Sequence, residues 1–170
     1  MLKRYQVTGV VSKSELKSMG LVPPLERLKK GPVVMVECIE NIPCDPCAYA
    51  CPRKAITIEG GLTATPKIDF FKCNGCGICV ARCPGLAIFV INYAYSEKEA
   101  SVALPYEFLP LPQIGEKVFA LDRSGKKVCN ARVIKVIDGE RRAKGKGTMV
   151  VTIAIPKRFW NDVRSIRLNR

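Results

Sequence analysis

Nine residues of the chain are cysteines, and eight of them fall between positions 38 and 83 in two runs, CIENIPCDPCAYACP from Cys38 and CNGCGICVARCP from Cys73. Thiolates are soft, anionic ligands, so the spacing decides which metal chemistry they serve. The second run reads C-x2-C-x2-C-x3-C-P through Cys73, Cys76, Cys79, Cys83 and Pro84. Three thiolates two residues apart can curl around the corners of one iron–sulfur cube, and this is a ligand run for [4Fe-4S] clusters. The first run repeats its end in Cys44, Cys47, Cys51 and Pro52, and the tails CPRKAI and CPGLAI continue the match. The offset is constant (76−44, 79−47 and 83−51 all equal 32), which marks an internal duplication. Structural zinc sites pair two separated C-x2-C knuckles, and neither the overlapping triplets nor the C-x3-C-P ending suits one tetrahedral ion. Disulfides do not suit a chain without a secretory signal.

Residues 33 to 92 resemble the two-[4Fe-4S] ferredoxins. In that family the fourth cysteine of each run reaches the other cluster, because after three further residues it points across the axis of the duplication. The resemblance thus implies one cluster, A, on Cys38, Cys44, Cys47 and Cys83, and a second, B, on Cys73, Cys76, Cys79 and Cys51. Cys38 precedes Cys44 by six positions, whereas Cys73 precedes Cys76 by three. If this longer loop kept Cys38 from its cluster, site A would hold three ligands and a [3Fe-4S] centre. Pro43, Asp45 and Pro46 stand where the second loop has Gly75, Gly77 and Ile78. Prolines donate no N–H to cluster sulfurs and a carboxylate opposes an added electron, so cluster A is expected to be the harder to reduce.

Short elements must hold these loops, and an α+β fold is expected. PVVMVE at 32–37 and AIFVIN at 87–92 read as paired strands, and TIE with PKID as a hairpin around Gly60 and Gly61. Tyr49, Ile78, Val80 and Phe89 are expected to shield the clusters from water. Residues 1–31 form a basic helical arm, with Ser12 and Glu15 as a capping box, Gly20 as a stop and a second turn opened by Pro24. Its apolar residues Leu16, Met19, Leu25 and Leu28 suit packing on the cluster unit or on a partner. The cluster unit is assigned to 32–95, and 96–170 to a small antiparallel β barrel or sandwich. There EKVFAL, KKVCNARVIKVID and TMVVTIAIP read as strands, GERRAKGKG as a basic loop and the last fifteen residues as a short helix with Trp160 as a packing anchor. Cys129 is expected to be a small buried apolar residue.

The formal net charge is +13, distributed as +5 over residues 1–30, zero over 31–93 and +8 over 94–170. Basic flanks suit docking to an acidic surface, nucleic-acid binding, or plain solvation. There is no histidine, which removes Rieske ligation and triad-type hydrolysis, so no substrate chemistry is assigned to this chain and no catalytic residue is named. No stretch approaches the roughly 20 apolar residues of a membrane span, and a cytoplasmic protein is expected.

From about residue 20 to the end, GPVVMVECIENIPCDPC, CNGCGICVARCPGLAIFVI, LPYEFLPLP and ALDRSGKKV are similar to the dicluster ferredoxin-like subunits of flavoprotein dehydrogenases of the proline, hydroxyproline and glycerol-3-phosphate type. The resemblance implies a non-catalytic subunit that relays single electrons in a hetero-oligomer. Its partners would be an FAD-dependent dehydrogenase subunit and a second flavin- or nucleotide-binding subunit, carrying FAD with FMN or NAD. Two other readings are a free-standing soluble ferredoxin and a nucleic-acid-associated protein with structural clusters. Lacking aromatic residues, the basic loop offers no stacking platform for single strands, which disfavours nucleic acid.

Overall fold

Two apolar runs, each with neighbours on both faces, frame the molecule. The structure is a computed structural model and describes residues 4–169 apart from 144 and 146. Strand β1 (Val33–Val36) is buried at every position and pairs antiparallel with β4 (Ile88–Asn92), Val33 opposite Ile91 and Val36 opposite Ile88. Alternate side chains of a strand face opposite ways. Val33, Met35, Phe89 and Ile91 therefore enter the main core, while Val34, Val36, Ile88 and Val90 enter a second core together with Cys47, Cys79 and Cys83. A strand buried on both faces has no polar face to show, which is why these runs are uniformly apolar.

Between the paired strands the duplication builds two matching halves. Helix α4 (Pro46–Tyr49) leads to β2 (Ile56–Ile58), which pairs antiparallel with β3 (Pro66–Ile68), and helix α5 (Ile78–Arg82) leads to β4. Strand β5 (Glu99–Tyr106) then pairs with β4 and continues the same sheet. Beyond it lie β6 (Lys117–Leu121), β7 (Lys127–Ile137), β8 (Met149–Pro156) and β9 (Ser165–Leu168), in the spatial order β1-β4-β5-β8-β7-β6-β9.

Instead of a barrel or sandwich set apart after residue 95, one seven-stranded antiparallel sheet runs through the cluster unit and the C-terminal part. It curls until β9 approaches β5, with no ladder between the two among the described residues. Two strands depart from the sequence reading. Strand β5 is rich in alanine and carries Pro105, weak β signals that are overridden by ladders to β4 and β8 on its two sides. Among the described residues of the tail only Lys157–Phe159 is helical, as one 3-10 turn, and SIRL pairs with β6 as β9. The basic loop folds in part into α6 (Gly139–Ala143), and Lys144 and Lys146 lie outside the described residues. Trp160 meets Tyr93 edge-on with ring centroids 6.1 Å apart.

The arm comprises α1 (Arg4–Thr8), α2 (Lys13–Ser18) and α3 (Leu25–Leu28). Its capping box is formed: Ser12 Oγ accepts from the Glu15 N–H, and the Ser12 N–H donates to the Glu15 carboxylate at 2.8 Å. The arm packs on its own chain, with Leu16 and Leu28 fully buried in the main core and Leu25 left exposed. Complete burial of each leucine contributes roughly 1.5–3 kcal/mol, which explains how turns too short to fold alone are held.

A buried charge cluster closes the frame. Arg123 makes two hydrogen bonds to the Glu37 carboxylate, at 2.8 and 2.6 Å, and Arg164 donates its Nε–H to the same group. Burial pushes the Glu37 carboxyl up, but Arg164 and Arg123 outweigh it and hold it below the usual carboxylate range. Arg164 is lowered to about 10, chiefly by burial, and stays cationic at neutral pH. Glu37 directly follows β1, beside Cys38, so this cluster ties the C-terminal turns to the entrance of the first cysteine loop.

Candidate iron–sulfur centres

Cys73, Cys76, Cys79 and Cys51 line one cavity, together with Val34, Ile56 and Val90. Cys38, Cys44, Cys47 and Cys83 line another, with Ile42, Ile58 and Ile88. Each cavity thus takes three thiols from one run and the last thiol of the other. The helices arrange this. α5 carries Cys79 toward one site and ends at Cys83, which faces the other; α4 carries Cys47 and is followed by Cys51 in the mirrored sense. The longer first loop brings Cys38 to the same cavity as its three companions.

Local backbone conformation repeats the duplication. Lys54 and Leu86, 32 positions apart, are the two non-glycine residues with positive φ among the described residues, at 48° and 53°. The left-handed turn costs each about 1 kcal/mol, and it aims the next N–H at a thiol. Ala55 N–H donates to Cys51 Sγ at 3.2 Å, and Ala87 N–H to Cys83 Sγ at 3.4 Å. Cys73 Sγ accepts from the Val34 and Gly75 N–H groups, at 3.4 and 3.3 Å. Donors placed on sulfur stabilise thiolate charge and tune the potential of a bound cluster.

The thiols' own electrostatics call for a cation. Burial pushes Cys47 up to about 11, with the charges of Cys83, Cys38 and Cys44 adding to it. Cys79 is pushed up further, by burial first and then by Cys73, Cys76, Cys51 and Cys47. Without metal these groups are neutral thiols at pH 7; bound iron reverses that balance, and loading releases protons. Four thiols with an apolar lining and N–H donors fit a cubane cluster at each site. Cys47, Cys79 and Cys83 pack in one apolar cluster, so the two sites are neighbours.

Not every side chain expected to shield the sites does so. Val80 is fully buried and packs with the thiols, whereas Tyr49 is 93% exposed and Phe89 lies on the opposite face, in the main core. Tyr49 belongs to α4, whose inner side carries Cys47, and the other face of β4 lines the cavities through Ile88 and Val90. Cys129 is half-buried on β7 against the main core, and lines neither thiol cavity.

One contributor was not read from the sequence as a site residue, Arg27, which gathers carbonyls around Cys73; Gly75 was read as a loop position open to N–H donation, and only the fold reveals its place beside Pro32. A Cβ on Gly75 would lie 2.6 Å from Pro32 Cβ and 2.7 Å from its carbonyl oxygen, at a φ of +68°. Gly75→Ala is therefore expected to cost about 1–3 kcal/mol and to displace Cys73 and Cys76. Iron analysis and low-temperature EPR of the purified variant should show the loss confined to this site.

Comparison with known proteins follows the same outline. Residues 37–87 match the 4Fe-4S dicluster domain family. The chain is 41% identical to the ferredoxin-type protein NapF of Haemophilus influenzae over 68 residues, 38% of this chain and 39% of that protein. It is 30% identical to the translation initiation factor RLI1 of Saccharomyces cerevisiae over 116 residues, 58% of this chain and 19% of that protein. It is 43% identical to the pyruvate synthase subunit PorD of Methanothermobacter marburgensis over 47 residues, 28% of this chain and 51% of that protein. The chain thus spans from about a fifth to half of these relatives' lengths. No solved structure gives a significant match. Residues 37–87 are thus similar to ferredoxin-type 4Fe-4S dicluster domains, and electron transfer through 4Fe-4S clusters is the function that these comparisons support.

Proposed function

We propose that the chain is the electron-transfer subunit of a flavin-dependent dehydrogenase complex, acting on an amino acid of the proline type or a related substrate. In this reading Cys38, Cys44, Cys47 and Cys83 hold one [4Fe-4S] cluster and Cys73, Cys76, Cys79 and Cys51 the other. The observation that carries it is the pair of adjacent four-thiol sites, each closed by a thiol from the opposite run. When bound, such clusters supply one-electron acceptance and release, which suits a flavin that takes two electrons from substrate and returns them singly.

The protein's own residues set the path. Val34, Val36, Ile56, Ile88 and Val90 keep water from the shared wall of the sites. A docking element is at hand in the loop between β5 and β6, where Phe108, Leu109 and Ile114 are exposed and prolines 110 and 112 stiffen the chain. Contiguous exposed apolar residues of this kind mark interaction surfaces, and the loop lies in the LPYEFLPLP stretch on which the dehydrogenase resemblance rests. One relative is by name a subunit of pyruvate synthase. No helix among the described residues is long and apolar enough to cross a membrane.

Anaerobic purification of the native assembly tests this reading. The chain should co-elute with a flavoprotein and carry about eight iron and eight sulfide. Migration alone at monomer size with full clusters would instead make it a free-standing ferredoxin. A second reading has one observation in its favour, the similarity of 58% of the chain to a translation initiation factor. Salt-sensitive retention on RNA together with clusters that cannot be reversibly reduced would select it.

A further inference from the structure

Arg27 is 6% exposed and makes all its hydrogen bonds to backbone carbonyls. Its Nε–H donates to Phe70 O at 2.8 Å, Nη1 to Gly31 O at 3.2 Å, and Nη2 to Pro32 O at 2.8 Å and to Cys73 O at 2.6 Å. Carbonyl dipoles satisfy the donors but carry no net charge. Among the described residues no carboxylate pairs with Arg27, and Asp69, next to Phe70 in sequence, is engaged by Lys72 and by the N–H groups of Phe71 and Lys72. A guanidinium is almost never buried without a countercharge. The buried Glu37 cluster shows the usual solution, and Arg27 departs from it.

The four carbonyls come from the segments that wrap Cys73, whose thiol lines the site with Cys51, Cys76 and Cys79. We propose that Arg27 is the built-in countercharge of that site: the arm inserts a fixed positive charge against the Cys73 loop, and the negative charge it answers is that of the four-thiolate cluster. This rests on the reading of those four cysteines as ligands of one cluster. With four thiolates the cluster carries about −2 when oxidised and −3 when reduced, so a nearby cation favours the reduced form. Arg27 then makes site B the easier of the two to reduce, and holds the arm where the charge is needed. The same contact explains why a basic arm packs on its own chain rather than remaining a solvated extension.

The test is an anaerobic EPR redox titration of the full chain, as wild type, Arg27→Gln and Arg27→Lys, with iron and sulfide measured first. The signal abolished by Cys76→Ala identifies site B. At the potential where wild-type site B is half reduced, Arg27→Gln should lower its reduced-to-oxidised ratio about tenfold or more, a fall of about 59 mV for one electron. Site A should stay within about threefold, and Arg27→Lys, which keeps the charge, should stay close to wild type at both sites. Loss of cluster B in the glutamine variant alone, with the lysine variant intact, also supports the proposal, since charge is then needed to retain the cluster. Unchanged potentials in Arg27→Gln, or equal effects of glutamine and lysine, including loss of cluster B in both, would reduce Arg27 to a structural strut. A wild-type chain that binds no second cluster would overturn the ligand reading, and this role with it.

Discussion

Cys83→Ala will abolish the four-iron signal of the site that holds Cys38, Cys44 and Cys47, and leave the signal of Cys73, Cys76 and Cys79 in place. Cys51→Ala will do the reverse. The expectation runs against proximity along the chain, because Cys83 closes the run that begins at Cys73. It follows from the two cavities, in which Cys83 stands with the first-run thiols and Cys51 with the second-run thiols. The reason lies in the helices: α5 points its interior ligand, Cys79, at one site, and by its end the chain has turned to present Cys83 to the other. Iron in each variant should fall from about eight toward four per chain. Anaerobic iron analysis with EPR, using Cys76→Ala and Cys44→Ala to label the two signals, reads the result. If Cys83→Ala extinguished the same signal as Cys76→Ala, the crossed assignment would be wrong.

The second large effect lies away from the thiols. Glu37→Gln keeps the size of the side chain and removes the carboxylate charge that both buried guanidinium groups contact, with Arg123 and Arg164 side chains 11% and 4% exposed. Breaking a buried pair from one side costs about 3–5 kcal/mol, since the surviving charge stays buried and unpaired. For a chain of this length that is a fall of roughly 10 °C in Tm. Thermal unfolding of the metal-loaded protein, followed by far-ultraviolet circular dichroism, measures it. Because Glu37 directly follows β1 while Arg123 and Arg164 belong to the C-terminal turns, the cluster absorbance should bleach in the same transition. An unchanged Tm, or bleaching well separated from loss of the sheet, would show that the ion cluster does not couple the two regions.

By itself the sequence determined the cysteine chemistry, the duplication, the strands read over 32–37 and 87–92 and found at 33–36 and 88–92, and the cap at Ser12. Each is a matter of short spacing: ligand loops must be tight, a strand buried on both faces must be apolar throughout, and a capping box spans only three residues. The crossed grouping of the thiols was an expectation of the same kind, drawn from the rule that goes with the C-x3-C-P ending. What followed residue 95 was not legible in this way. Nothing local tells Ser101, Val102 and Ala103 that they will pair with β4 on one side and β8 on the other, or that SIRL will complete the far edge. Only the tertiary structure decided that the cluster unit and the C-terminal strands share one sheet, that Glu37 meets arginines 86 and 127 positions away, and that Arg27 reaches Cys73 across 46. Those contacts depend on ladder pairing and charge burial between distant segments, and neither leaves a periodic mark along the chain.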